Sequence, residues 1–374
     1  MKVFQYRLFP TKDQQTKLWQ HANKLNFIYN YFLNQRIENF KLGIKVTKNN
    51  QQHELISLKE NDLIIKEIHS QVLQQVSLRL ERSYQDFFRR LKRKEVAGFP
   101  KFRSCKNFFG ICYPQKGFYI KDNIFKTKVY GEIPFVEHRK IQGQVKQISI
   151  TYKNNKWFLN IATDALISNP KASGEVGIDI GLKDLAVLNN GVKIRNATDS
   201  KYFDKQIAKL QARRSKCKIR SNQYKYLGKV INRLYEAKVR KINDFQHKVS
   251  KRLGSTYDTI YAENLSVKKM SEGNWTNLNK SIRNAKLAQF LSFLGYKTNK
   301  LVLVNPKNTS KTCNSCGKIH VDLKLSDRII ICTCGSVYDR DLNAAKNVFC
   351  LGQAMQGNPA YVGSMTIQEA FSLH

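Results

Sequence analysis

Val176-Gly177-Ile178-Asp179-Ile180-Gly181 reads as an apolar β-strand that carries one acid. A carboxylate in such a run is costly to bury unless it is paired or bound to a metal. Two more apolar runs follow, Leu185 to Leu188 and Val192 to Ile194, joined by the tight-turn signal Asn189-Asn190-Gly191. A long basic helical region covers about 204–253. Then come a strand at 257–262, a helix at about 280–297, a strand at Leu301 to Val304, and a last helix that begins near Asp341. Three antiparallel strands, helix, strand, helix, strand, helix is the order of an RNase H-like fold, a mixed sheet with helices against its faces.

That order decides which acids can meet. Glu263 ends the fourth strand, which in this fold lies beside the first. Asp341 opens the last helix, which packs near the same strand ends. Cleaving a phosphodiester requires an activated water and neutralisation of charge on the phosphate. Two divalent ions roughly 4 Å apart do both, and hard oxygen ligands hold them. Asp179, Glu263 and Asp341 are therefore the candidate catalytic and Mg²⁺-binding acids, with Mn²⁺ as the alternative ion. Each has a plainer reading alone: a strand-end acid paired with a lysine, a surface acid, a helix cap. Asp339 is the rival to Asp341, but its place before the helix makes it less able to face the site.

Cys313-Asn314-Ser315-Cys316-Gly317 and Cys332-Thr333-Cys334-Gly335 are two close cysteine pairs separated by fifteen residues. Four thiolates around one Zn²⁺ form a closed structural site with no open position for water. Cys313, Cys316, Cys332 and Cys334 are its expected ligands. Cys105, Cys112, Cys217 and Cys350 are scattered and read as ordinary thiols.

The first half has another texture. Residues 2–9 alternate like a strand. Thr11 with Gln14 signals a helix start, and Leu18, Ala22, Leu25, Tyr29 and Phe32 recur at helical spacing. Further helices are expected at about 54–68 and 70–95. From Phe108 to about Thr163 the chain is rich in aromatic and β-branched residues, with a hairpin around Lys153-Asn154-Asn155-Lys156. The expectation is a β-barrel-like domain of residues 1–9 and 98–170, with a helical domain, 10–97, inserted into it. The nuclease-type domain takes 174–306 and 336–350, the zinc insertion 307–335, and an unassigned tail 351–374. The fold class is α+β, multidomain.

With 65 Lys and Arg against 28 Asp and Glu the net charge is +37, a field that calls for a polyanionic partner, normally nucleic acid. Residues 201–252 alone hold 17 Lys and Arg against three acids. Arg213, Arg214 and Arg220 there, Arg89, Arg90 and Arg93 at the end of the 70–95 helix, and Lys101 and Arg103 among Phe99, Phe102, Phe108 and Phe109 are candidate nucleic-acid contacts. A solvated charged helix pair and barrel-core aromatics are the plainer readings. No run of 18 apolar residues predicts a membrane span, and a cytoplasmic protein is expected.

The pieces Gly177-Ile178-Asp179-Ile180-Gly181-Leu182-Lys183-Asp184-Leu185-Ala186, Ala262-Glu263-Asn264-Leu265, Ser310-Lys311-Thr312-Cys313-Asn314-Ser315-Cys316-Gly317 and Asp339-Arg340-Asp341-Leu342-Asn343-Ala344-Ala345 together resemble TnpB. TnpB is the RNA-guided nuclease of insertion sequences, related to type V CRISPR effectors. The opening strand and helix and Gly98-Phe99-Pro100-Lys101-Phe102 extend the resemblance over nearly the whole chain. It implies a wedge domain at the N-terminus, a RuvC-like cutting site of Asp179, Glu263 and Asp341, and zinc ligands at the four cysteines. It also implies a guide RNA from the end of the element, a double-stranded DNA target beside a short motif, and a prokaryotic, nucleoid-associated monomer. The expected reaction is in-line attack of an activated water, Asp179 bridging two Mg²⁺, Asp341 and Glu263 completing one shell each, and the 3′ oxygen leaving. A regulator that binds without cutting, a strand-joining RNase H-like transposase and a Holliday-junction nuclease are the alternatives.

Overall fold

The computed structural model describes residues 2–165, 172–196, 200–265, 285–323 and 327–357. It divides into two compact units, Met1–Ile167 and Ser168–His374. The first unit opens with β1 (Lys2–Leu8) and α1 (Lys12–Lys41). Thr11 and Gln14 form the reciprocal capping box that the sequence signalled. Leu18, Ala22, Leu25, Tyr29 and Phe32 are all buried along one face of α1.

The helix expected at 54–68 is instead α2 (Lys48–Asn61) and the short α3 (Leu63–Glu67). The break has a cause. The Asp62 carboxylate accepts the N–H groups of Ile64 and Ile65, which caps a new turn and stops the old one. α4 (Ser70–Lys92) ends the helical part.

The strands β2 (Ile111–Tyr113), β3 (Tyr119–Lys121), β4 (Ile124–Thr127), β5 (Gly131–Val136), β6 (Val145–Lys153) and β7 (Lys156–Thr163) join β1 in an antiparallel sheet of order β2-β6-β7-β1-β5-β4-β3. β1 lies between β7 and β5, with Lys2↔Thr163 through Leu8↔Trp157 in register. The opening strand thus completes this sheet, as its alternation suggested. No ladder among the described residues joins β2 to β3. Asn154 and Asn155 take φ of 51° and 59°, the two left-handed residues that a tight β6–β7 hairpin requires. Sheet and helices share one buried cluster, which includes Phe4, Tyr6, Leu25, Phe32, Val76 and Leu159.

The second unit starts with β8 (Glu175–Asp179), β9 (Asp184–Leu188) and β10 (Lys193–Arg195). The basic region is two helices, α5 (Ser200–Ser215) and α6 (Asn222–Thr256). They separate where Arg220 takes φ 68° and Ser221 caps α6 by accepting Tyr224 N–H. β11 (Thr259–Glu263), α7 (Leu287–Lys297), β12 (Lys300–Val304), the small hairpin β13 (Ile329–Ile331) and β14 (Val337–Asp339), and α8 (Arg340–Gly357) follow. The sheet order is β10-β9-β8-β11-β12, with β9 antiparallel to both β8 and β10, and β11 parallel to both β8 and β12.

Gly177 lets α8 lie directly on β8. A Cβ there would fall 2.5 Å from the Ala345 carbonyl oxygen and 2.6 Å from Phe349 Cβ. Residues 169–171 at the expected domain boundary, the start of the helix near 280, and residues 358–374 of the tail lie outside the described residues. No described helix is long and apolar enough to cross a membrane.

Candidate active site and metal centre

β8 and β11 run parallel with Ala262 opposite Ile178. The next residue on each strand is an acid, so Asp179 and Glu263 emerge side by side at the same sheet end. Asp341 joins them from the first turn of α8. The electrostatics report the convergence. Burial, then the charge of Glu263, then that of Asp341 push the Asp179 carboxyl up to about 8, against a smaller opposing pull from Arg340. Glu263 is 8% exposed. Burial raises its pKa too, and a hydrogen bond from the Thr309 hydroxyl partly offsets this. Carboxylate oxygens are the hard donors a divalent cation takes, but these three acids are not gathered into a ready-made cage as the four cysteines below are. Asp341 currently accepts from Arg328 Nη1 at 3.2 Å and lies 3.7 Å from Arg340 Nε.

Asp339 does different work. Its Oδ1 accepts the N–H groups of Asp341 and Leu342, and its Oδ2 holds Lys193 Nζ at 2.6 Å. Burial alone would raise its pKa, but these partners hold it below the usual carboxylate range.

The sulfurs of Cys313, Cys316, Cys332 and Cys334 all lie within 4.8 Å of one another, the one such group of ligand atoms among the described residues. Cys313 and Cys334 are 3.9 Å apart, and Cys316 and Cys332 are 3.6 Å apart. Tetrahedral Zn²⁺ with Zn–S bonds of about 2.3 Å needs S···S separations of about 3.8 Å. The thiols shift in opposite senses. Hydrogen bonds with Ser336 pull Cys334 down to about 6, while Cys316, against a hydrogen bond from the Lys318 backbone, is pushed up by burial and hydrogen bonds with the other cysteines. The case for a metal therefore rests on the sulfur spacing. The Tyr338 hydroxyl is buried without another partner and lies against Cys313. A metal-bound thiolate there would accept a hydrogen bond from it. The donor set fits one closed structural zinc.

The basic candidates separate by environment. Arg89 and Arg90 pair with Asp86 and Glu95, and Arg93 is exposed at the end of α4. Lys101, Phe99 and Phe102 are exposed, whereas Phe109 is core. The Arg103 guanidinium lies 4.7 Å from the centre of the Tyr29 ring and 5.1 Å from that of Phe109. Arg213 and Arg220 are exposed, but Arg214 lies 4.0 Å over the Tyr224 ring with its Nε buried. Sequence reasoning passed over Thr309, Arg328, Asn343 and Asn347. Asn343 and Asn347 carried a signal, two amides four residues apart on the face of a helix that must pack inward.

Three family profiles match the chain. One described as "Probable transposase" (OrfB_IS605) covers residues 151–274. "Cas12f1-like, TNB domain" covers 288–348, and "Helix-turn-helix domain" (HTH_OrfB_IS605) covers 1–45, where the described structure is one strand and one long helix. The "Putative RNA-guided DNA endonuclease InsQ" of Escherichia coli K12 is 27% identical over 95% of this chain and 93% of its own length. A "Putative RNA-guided DNA endonuclease" of Streptomyces pristinaespiralis is 27% identical over 94% and 90%. "TnpB-like protein L79" of Acanthamoeba polyphaga mimivirus is 34% identical, but over 49% of this chain and 38% of that protein. Among solved structures, a chain of the Cas12f1–sgRNA–target DNA complex matches in fold, with TM-score 0.56 and 18% identity over 90% of this chain and 83% of that one.

Proposed function

We infer that this TnpB-like chain is an RNA-guided DNA endonuclease of an insertion sequence, cutting with one RuvC-like, Mg²⁺-dependent site. Two relatives that bear that activity in their names align over nine-tenths of their own lengths. The observation that carries the reading is local. Asp179 and Glu263 end two parallel strands side by side, and burial, reinforced by the charges of Glu263 and Asp341, pushes the Asp179 carboxyl up to about 8. Perturbed acids grouped in this way mark functional sites more often than structural ones.

The roles follow from placement. Asp179 feels the charges of both Glu263 and Asp341, and these three carboxylates would together hold the divalent ions. Divalent ions at these acids supply the positive charge that activates water and stabilises the phosphate in the transition state. The chain's own residues hold the carboxylates in place and keep them partly out of water. The lysines and arginines of α5 and α6 would hold phosphates without reading bases. Sequence choice would come from pairing of guide and target, and the N-terminal unit would read the adjacent motif. The zinc would keep the 307–335 insertion folded.

The test is direct. The protein is purified with its bound RNA, the RNA is sequenced, and a plasmid carrying a matching target is supplied with Mg²⁺ or with EDTA. Linear plasmid with Mg²⁺ and none with EDTA supports the reading. Protection of the target without cutting would favour a binding-only regulator. Strand-transfer products would favour the second reading, which the "Probable transposase" profile keeps in view.

A further inference from the structure

Glu263 meets the hydroxyl of Thr309, which is 2% exposed. Thr309 is held in turn by α8. Its carbonyl oxygen accepts Asn347 Nδ2 at 2.8 Å, and the same Nδ2 reaches the Thr312 carbonyl at 2.7 Å. Asn343 Nδ2 also donates to Thr312 O, at 2.6 Å, and Asn343 Oδ1 accepts the Asn314 N–H at 2.8 Å. Asn343 and Asn347 are themselves 2% and 0% exposed. The segment they grip runs straight into the zinc ligand Cys313. The helix that carries Asp341 is therefore hydrogen-bonded to the loop that fixes Glu263.

We propose that Thr309 is a positioning residue for the divalent metal at the carboxylate site, fixing one oxygen of Glu263 so that the other is aimed at the ion. The proposal rests on the reading of Asp179, Glu263 and Asp341 as metal ligands. A carboxylate on a five-residue strand end has free torsions, and a hydroxyl donor on a rigid loop removes them. Groups that orient metal ligands in this way typically set affinity by about 10–100-fold. Buried amides with several partners are costly to disturb, which makes the Asn343–Asn347 grip a stiff support. The Thr309 hydroxyl also reaches the Pro306 carbonyl at 3.1 Å, and a charged Glu263 carboxylate is the stronger of its two acceptors.

The test uses the full chain with its co-purified RNA and reads the rise in melting temperature with added Mg²⁺, or Mn²⁺, rather than cleavage alone. Thr309→Val keeps the shape and removes the donor. Thr309→Ser restores the donor. Glu263→Gln is the control for the site itself. The expected result is a half-saturating metal concentration about 10–100-fold higher for Thr309→Val, near wild type for Thr309→Ser, and a lost or still weaker response for Glu263→Gln. Should Thr309→Val be too unstable to purify, Thr309→Ala is measured beside Thr309→Ser in its place. A lower melting temperature with an unchanged half-saturating concentration would make Thr309 merely structural and overturn the proposal. An unchanged response in Glu263→Gln would instead sink the carboxylate reading beneath it.

Discussion

Oδ1 of Asp339 accepts the backbone N–H of Asp341 at 3.0 Å, so the acid before α8 is its cap and the acid two residues later is not. The two carboxylates can therefore be separated by measurement. Asp341→Ala should abolish plasmid cleavage with little change in melting temperature. Asp339→Ala should cost about 1 kcal/mol of stability through the lost cap, together with the Lys193 contact, while cleavage survives at a temperature where the variant is folded. Equal loss of cleavage in both would show that Asp339 also serves the reaction.

The raised pKa of Asp179 fixes a pH dependence. In the metal-free fold this carboxyl stays protonated up to about 8, whereas in the unfolded chain it ionises near its ordinary value of about 4. A group raised in this direction favours the folded state at low pH, and that contribution is lost as pH rises from about 4 toward 8. Metal binding must then expel the proton. The half-saturating Mg²⁺ concentration should fall as pH is raised from 6 to 8 and level off above. Asp179→Asn should flatten that profile. A metal response independent of pH in the wild-type protein would contradict the assignment.

His21 makes the opposite prediction in the first unit. It is 1% exposed, its Nδ1 lies 2.7 Å from the Tyr130 hydroxyl, and burial lowers its pKa to about 4. The folded state holds it neutral while the unfolded chain takes a proton below about 6.5. Its contribution is present above pH 6.5 and is lost as pH falls toward 4, about 3 kcal/mol in all. Melting curves between pH 7 and 4 check this. His21→Asn should lose less stability across that range than wild type.

Zinc content tests the cysteine cluster. Wild-type protein should carry one zinc per chain by elemental analysis. Cys316→Ser should lose it and expose the 307–335 insertion to protease, while Cys217→Ser should keep it. Zinc retained without Cys316 would overturn the four-thiolate site.

Arginine environment predicts two kinds of defect. Arg213→Ala and Arg220→Ala, both exposed, should weaken nucleic-acid binding and reduce the salt slope by about 1 each. Arg214→Ala removes a stacked side chain from Tyr224 and should lower stability with a smaller change in salt slope. Binding titrations at several salt concentrations separate the two.

How far the sequence reached depended on the kind of interaction. Strand periods, the Thr11 cap and the Asn154-Asn155 turn are local, and they were legible. Asp179 stood out because an acid in an apolar strand is costly. The break at Asp62 and the place, near Arg220, where the basic helix pair divides were not legible, because a side-chain cap or a left-handed residue can end a helix whose apolar spacing continues. Thr309 carried no signal of its own. Its importance comes from Glu263, 46 residues away, and only the fold brings them together. Arg214 looked like its neighbour Arg213 until packing placed its Nε out of water.

If Asp179 belongs to the cutting site of an RNA-guided nuclease, removing its carboxylate must stop the chemistry and spare target binding. The most direct measurement is cleavage of a guide-matched plasmid by Asp179→Ala protein loaded with the same RNA. Target binding at wild-type affinity and no linear product at any Mg²⁺ concentration are expected. Full, metal-dependent cleavage by this variant would contradict that place for Asp179.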